Sequence, residues 1–274
     1  MSELIDGRKL AKAREEKLAA KVKSLNLTPK VISLVIGADP ASHLYTNMKK
    51  KKAADVGIEF EPKYFSEETP FEEIANVIQK LNSDPEINGI MVQLPMPEKF
   101  LNGRHELELL NLIDKKKDID GLTENPIFMP ATAVAVISII DDEKVKVKGV
   151  KITVLGRSLL VGKPVADELN RRGGLVSVVH SKTENPKEIV LGADLVISAV
   201  GKAHLVPGDW IKEGAVVIDV GTSPLDGKIV GDVDFESAQD KASKITPVPG
   251  GVGPMTVISL MENVARAANV SVTA

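Results

Sequence analysis

Ile152-Thr153-Val154-Leu155-Gly156-Arg157-Ser158-Leu159-Leu160-Val161-Gly162-Lys163-Pro164 is the stretch on which the fold depends. A short apolar run rich in β-branched residues stops at a glycine, a turn follows, and a second glycine stands just before a proline. Residues 152–155 read as a buried strand. Gly156 directly after it lets backbone approach a ligand closely. A helix opening near Pro164 would aim free amide N–H groups at an anion, and proline suits a first helical turn. Strand, glycine turn and helix together open a dinucleotide-binding unit. The pattern is not G-x-G-x-x-G, because the two glycines stand six positions apart. Taken alone, the turn is equally an ordinary strand-loop-helix connection.

Downstream the rhythm continues. A helix over 162–172 and a short helix over 187–191 alternate with predicted strands at 175–179, 195–199 and 215–220. In NAD enzymes an acidic residue at the end of the second strand binds the ribose hydroxyls. Here that strand ends Val178-Val179-His180-Ser181-Lys182, with no acid before Glu184. Arg157 and Ser181 are candidates to hold a ribose phosphate instead, which favours NADP. The plainer alternative is a solvated loop with incidental polar residues.

Upstream a first alternating unit appears. Helices are predicted over 7–25, 42–56 and 70–82, and strands over 31–36, 58–65 and 87–94. In the third helix Phe71, Ile74, Val77, Ile78 and Leu81 recur at helical spacing. Further helices are expected over 131–140 and, after Pro254, over 255–268. Such alternation argues for parallel sheets with crossover helices, an α/β class.

Composition sets the outer limits. The 274 residues suffice for two domains of ~100–150 residues each. Aromatic residues are only 3%, so Val, Ile, Leu and Ala must build the core, and few rings are available to stack bases. The absence of cysteine excludes a disulfide scaffold, a thiolate nucleophile and a Cys zinc site. A net charge of -3 supplies no basic field for nucleic acid or an anionic membrane. Residues 1–12 hold no signal-type apolar run, and no stretch of ~18 apolar residues occurs. The expectation is a soluble, cytoplasmic protein with neither nucleic-acid nor membrane partners.

Tyr45-Thr46-Asn47-Met48-Lys49 places a phenol and an ammonium four residues apart, on one helix face with Lys52. Four consecutive lysines more often mark a solvated surface. Tyr-x-x-x-Lys is also a short-chain dehydrogenase spacing, but there it follows the dinucleotide turn. Here it precedes Gly156 by more than a hundred residues.

Five stretches, in order, resemble the methylenetetrahydrofolate dehydrogenase/cyclohydrolase family. They are Ala41-Ser42-His43-Leu44-Tyr45 with Lys49 and Gly57-Ile58; Gly89-Ile90-Met91-Val92-Gln93-Leu94-Pro95-Met96-Pro97; Lys117-Asp118-Ile119-Asp120-Gly121; Gly156-Arg157-Ser158 with Val161-Gly162-Lys163-Pro164; and Pro247-Val248-Pro249-Gly250-Gly251-Val252-Gly253-Pro254-Met255-Thr256. The resemblance implies oxidation of 5,10-methylenetetrahydrofolate with NADP, then hydrolysis of the methenyl product to 10-formyltetrahydrofolate, within one-carbon metabolism. It implies Lys49 as the central catalytic residue, Tyr45 packing on the folate, Gln93 tuning Lys49, and Asp120 anchoring the pterin. Val92, Leu94 and Pro249, Gly250, Gly251, Val252 and Gly253 would line the folate pocket. Gly156, Arg157, Ser158, Ser181 and Thr222 would bind the cofactor, with no metal.

The bland readings stand beside these. Asp120 can be a turn-forming aspartate before Gly121, and Gln93 only a polar residue at a strand end. His43, His105, His180 and His204 are scattered, which disfavours a metal cluster. Trp210 reads as a packing residue, and Asp232 and Asp234 as structural. Two departures from the family pattern stand out. Ala131 and Ala133 replace a common Cys and Pro. Gly221-Thr222-Ser223 stands where Gly-Ile-Asn is usual, a segment that borders the nicotinamide in the family.

The expected architecture is two α/β domains with an active-site cleft between them. Residues 1–118 plus 255–274 would form the folate-binding catalytic domain, and 119–254 the Rossmann-like NADP-binding domain. The resemblance also implies a homodimer. Two rivals remain: an NAD(P)-dependent dehydrogenase of another substrate, and a non-catalytic nucleotide-binding sensor.

Overall fold

Alternation of strand and helix runs through the computed structural model, which describes residues 2–24 and 28–269. The chain opens with β1 (Glu3–Leu4) and α1 (Gly7–Ser24), then β2 (Lys30–Ile36) and α2 (Pro40–Asp55). Asp39 caps α2 by accepting the Ser42 N–H at 2.8 Å, and Pro40 takes the first helical position, which lacks an N–H partner anyway. Next come β3 (Glu59–Phe65), α3 (Phe71–Ser83), β4 (Gly89–Val92), α4 (Glu98–Leu101) and α5 (Glu106–Leu110). The spacing in α3 does what the periodicity predicts: Ile74, Ala75, Ile78 and Leu81 are buried.

A longer α/β run follows, with α6 (Ala131–Asp142), β5 (Lys151–Leu155), α7 (Gly162–Arg171), β6 (Leu175–Val179), α8 (Pro186–Leu191) and β7 (Leu195–Ser198). A 3-10 turn at Gly208–Trp210 precedes β8 (Val216–Asp219). A hairpin of β9 (Ser223–Leu225) and β10 (Lys228–Val230) leads to α9 (Phe235–Ala238), β11 (Lys244–Ile245) and α10 (Val252–Ala267).

Two compact units result. One comprises Ala13–Ala131 and Val257–Ala274, the other Met1–Lys12 and Thr132–Thr256. The first holds a three-stranded parallel sheet in the order β3-β2-β4. Its core is aliphatic, with Ile32, Leu34, Ile74, Ile78, Ile90 and Leu109 almost fully enclosed. A segment alongside β4 extends this sheet: the Ile90 N–H donates to Lys117 O at 2.8 Å, and Ile90 bridges Asp118 in parallel. That pairing keeps residues 118–131 with the first unit, so the division falls later than the expected 118.

The second unit holds a six-stranded parallel sheet in the order β1-β11-β8-β7-β5-β6. The order reverses at β5, with β6 on one side and β7 and β8 on the other. In open parallel sheets the crevice at such a reversal, beyond the strands' carboxyl ends, receives ligands. The N-terminal residues belong here and not with 13–118, because β1 pairs with β11 through Glu3↔Lys244 and Leu4↔Ile245. A two-residue strand has no periodicity to read, which is why the sequence places 1–12 otherwise. Trp210 packs against this unit's core, as a packing residue should. Among the described residues, no helix is long and apolar enough to cross a membrane.

Candidate active site

Gln93 follows directly after β4, and its backbone N–H donates to Leu34 O on the neighbouring strand at 2.8 Å. The side chain is buried, at 8% exposure. Its Nε2 donates to Leu94 O at 2.7 Å, which leaves Oε1 to accept from Lys49 Nζ at 3.0 Å. The amide orientation is therefore fixed by its own neighbour, and the oxygen faces the amine. Lys49 arrives from α2, the helix after the central strand. Gln93 thus stands at the carboxyl end of its strand, and Lys49 reaches it from the helix that follows the adjacent strand.

Asp120 sits at the end of the segment that extends the sheet beyond β4. Burial pushes the Lys49 ammonium below the ordinary lysine range, and the Asp120 charge opposes that fall. Burial likewise pushes the Asp120 carboxyl above the usual carboxylate range, with Lys49 pulling it down and Asp118 pushing it up. The two groups moderate each other in a site poor in water. Lys52 shares the α2 face but turns to Glu15 at 2.5 Å and Asp55 at 3.4 Å, so it does not join Lys49 at Gln93.

The turn-forming aspartate is Asp118, not Asp120. Asp118 is 1% exposed and accepts the N–H groups of Gly121, Leu122 and Thr123, together with Thr123 Oγ1 at 2.8 Å. Gly121 has φ +69°, and a Cβ there would lie 2.4 Å from Phe128 O, so only glycine fits. The turn is closed by Asp118, and the Asp120 carboxylate accepts no hydrogen bond from the described residues. Sequence reasoning missed Asp118. Its signal was the Asp-x-x-Gly spacing, which both aspartates of Asp118-Ile119-Asp120-Gly121 obscure.

Tyr45 is 54% exposed, one helical turn before Lys49 on α2. Val92 is 1% exposed and lies in the core, so it can meet a ligand only through backbone; Leu94 is half-buried against the same core.

In the second unit the glycine turn closes on itself. Gly156 has φ +104°, and a Cβ on it would lie 2.3 Å from Ala199 O at the end of β7. A Cβ on Gly162 would lie 2.2 Å from Gly156 O. The two glycines therefore meet face to face, and the five residues between them form the loop. This contact explains the six-residue spacing that departs from G-x-G-x-x-G. Ser158 O accepts the Lys163 N–H at 3.0 Å, and Ser158 Oγ accepts from Val161 at 3.2 Å, tying the loop to the start of α7. This cradle at a helix N-terminus, at the point where strand order reverses, fits a dinucleotide's phosphates.

Register places Arg157 and Ser181 beyond the same end of two neighbouring strands. Leu155 pairs with Val179 in the parallel β5–β6 ladder, so each residue stands two positions beyond a paired end. Both are exposed. Around them His180 N–H donates to Thr183 Oγ1 at 2.9 Å and Lys182 N–H to His180 Nδ1 at 3.1 Å, a tight turn that presents Ser181.

Asp219 and Asp232 organise the ends of β7 and β8. Asp232 is fully buried and accepts Ser198 Oγ, Val200 N–H and Lys202 N–H. Asp219 accepts the N–H groups of Gly221, Asp232 and Val233. Burial pushes the Asp219 carboxyl up to about 7 against those hydrogen bonds. Asp232 is structural, as its motif suggests, and exposed Thr222 rides on the loop the pair holds.

Of the glycine-rich stretch 249–253, Pro249 and Gly253 are exposed and Gly251 and Val252 buried. Helix α10 begins at Val252, three residues before the expected 255, because Pro254 sits inside the first turn and not ahead of it. Val252 and Gly253 are thus helical and not loop.

Known proteins agree in order and extent. A family model described as "Tetrahydrofolate dehydrogenase/cyclohydrolase, catalytic domain" matches residues 5–120, and one described as the same family's "NAD(P)-binding domain" matches 130–272. The chain is 45% identical to the bifunctional protein FolD of Lactobacillus acidophilus, over 97% of each chain. It superimposes on the FolD methylenetetrahydrofolate dehydrogenase/cyclohydrolase of Campylobacter jejuni with a TM-score of 0.92 and 36% identity, covering 98% of this chain and 99% of that one. The Trypanosoma brucei FolD enzyme, solved with NADP and an inhibitor, gives a TM-score of 0.91 and 35% identity, covering 100% and 99%. With both domains matched in sequence and fold over nearly the whole length, the chain belongs to the tetrahydrofolate dehydrogenase/cyclohydrolase family.

Proposed function

We infer that this protein oxidises 5,10-methylenetetrahydrofolate to the 5,10-methenyl form with NADP, and hydrolyses the methenyl form to 10-formyltetrahydrofolate. The observation that carries this reading is the buried Lys49 amine held on Gln93 Oε1, with an unengaged Asp120 carboxylate acting on it, at the carboxyl edge of the first unit's sheet. A sensor without chemistry has no use for an amine desolvated in this way.

Each residue has a task that its geometry suits. The Asp120 carboxylate accepts from the pterin amino group and ring N–H. Tyr45 lies over the folate. The backbone of Val92 and Leu94, with Pro249, Gly250, Gly251, Val252 and Gly253, lines the pocket. Gly156, Arg157, Ser158, Ser181 and Thr222 hold the dinucleotide, with Arg157 and Ser181 on the ribose phosphate. NADP, when bound there, supplies the hydride acceptor.

The two steps ask different things of Lys49. Loss of hydride from the methylene carbon leaves a cation shared by two nitrogens and releases no proton, so alignment governs that step. Hydrolysis needs proton traffic. Water bonds to the methenyl carbon and gives up a first proton, leaving a neutral carbinol. The bond from that carbon to the ring nitrogen then breaks as the carbinol oxygen gives up its second proton and becomes the formyl C=O. The ring nitrogen takes one proton, and one proton is released overall. A lysine whose pKa burial has lowered can take and return those protons, and Gln93 keeps its nitrogen in place.

A homodimer also belongs to this reading. β6 ends the six-stranded sheet, and its Leu175 and Val178 are 59% and 40% exposed. An unpaired edge bearing apolar side chains is the kind of surface a second copy covers.

The test is a paired assay on the purified protein. NADP reduction with methylenetetrahydrofolate and decay of the methenyl absorbance should both exceed the uncatalysed rates, and catalytic efficiency with NADP should exceed that with NAD. Turnover of a 2-hydroxy acid in place of the folate, or equal efficiency with NAD, would overturn the corresponding part.

A further inference from the structure

Asn263 lies in α10, far in sequence from Lys49, Gln93 and Asp120, and is fully buried. Its Nδ2 donates to Ile119 O at 2.9 Å and to Met129 O at 3.1 Å. Its Oδ1 accepts from Arg266 Nη1 at 3.4 Å, which fixes the amide so that the nitrogen faces the two carbonyls. Ile119 immediately precedes Asp120. Met129 lies on the returning arm of the same loop, where Phe128 O to Pro130 N press against Gly121. One side chain therefore clips both arms of the loop that presents Asp120.

The clip matters because no hydrogen bond from the described residues holds the Asp120 carboxylate directly. Its position follows from its backbone alone, and that backbone is fastened in two places. Asp118 ties the residues after it, and Asn263 ties the carbonyl before it. The side chain opposite, Lys49, bonds to Gln93 and not to Asp120.

We propose that Asn263 is a positioning residue for substrate binding: by holding the Ile119 and Met129 carbonyls together it sets where the Asp120 carboxylate meets the pterin. The proposal rests on the reading that Asp120 binds the pterin. It goes further by naming the residue, on a different element, through which that contact is fixed.

A double-mutant cycle on the full-length dehydrogenase reaction tests it. Asn263→Ala should raise KM for methylenetetrahydrofolate about tenfold, the scale of one lost buried donor pair, with KM for NADP unchanged. In an Asp120→Ala background the same substitution should change the folate KM less than about twofold, because the residue it positions is gone. A purely structural asparagine would cost the same factor in both backgrounds, and that result overturns the proposal, as does an unchanged folate KM in Asn263→Ala. If Asp120→Ala alone leaves folate KM intact, the reading of Asp120 fails, which is a separate outcome from failure of the coupling. Asn263→Ser, which keeps a smaller donor at the same place, serves if the alanine variant does not fold. A chain that folds with neither makes Asn263 a requirement of the whole fold and overturns the assignment.

Discussion

Lys49 and Asp120 pull against each other, and the sign of that tension is testable. Burial lowers the Lys49 pKa and the Asp120 charge raises it. Removing the charge must lower it further. If neutral Lys49 is the form that accepts a proton in hydrolysis, activity falls away as pH drops through that pKa. Asp120→Asn should therefore move the acid limb of the methenyl hydrolysis profile to lower pH, measured at saturating folate. A limb that stays in place or moves upward contradicts the coupling. At this scale the sequence was half legible. Lys49 stands among four lysines, and only the order of neighbouring motifs singles it out. Asp118 and Asp120 are two residues apart in one turn, and nothing in their spelling says which closes the turn and which is left free. That distinction comes from Gly121, whose backbone can take the left-handed conformation and press against Phe128.

Long periodic elements were readable because burial imposes a period. Helix α3 and the β2 and β5 strands lie within two residues of their expected bounds. Short elements carry no period, so β1, β11 and the β9–β10 hairpin went unread. At α10 the helix is expected to begin after Pro254, whereas Pro254 is part of its first turn. The edge strand β6 carries the prediction at this scale. Its exposed Leu175 has no partner strand on that side among the described residues. Light scattering should give twice the chain mass for the native protein, and Leu175→Lys should give a monomer with little loss of thermal stability, since a charge on an edge blocks pairing without entering the core. A native protein that stays monomeric at micromolar concentration removes the dimer.

For the molecule as a whole, two α/β units were legible from length and from two successive alternating runs. The exact membership of 1–12 and 119–131 was not, because it depends on pairings of one or two residues between stretches distant in sequence. The site divides in the same way. Gln93 and Lys49 meet through folding of the first unit, and the β5–β6 register of the second puts Arg157 and Ser181 beyond the same end of adjacent strands. The central claim concerns one chain with two chemistries that make unequal demands on one amine. The most direct measurement is the paired assay repeated on Lys49→Met. The variant should lose methenyl hydrolysis by about a hundredfold or more, the scale of a lost general acid–base group. It should keep hydride transfer to NADP within about tenfold of the native rate, because that step needs alignment and no proton transfer. Equal loss of both activities, with folate binding intact, would contradict the account.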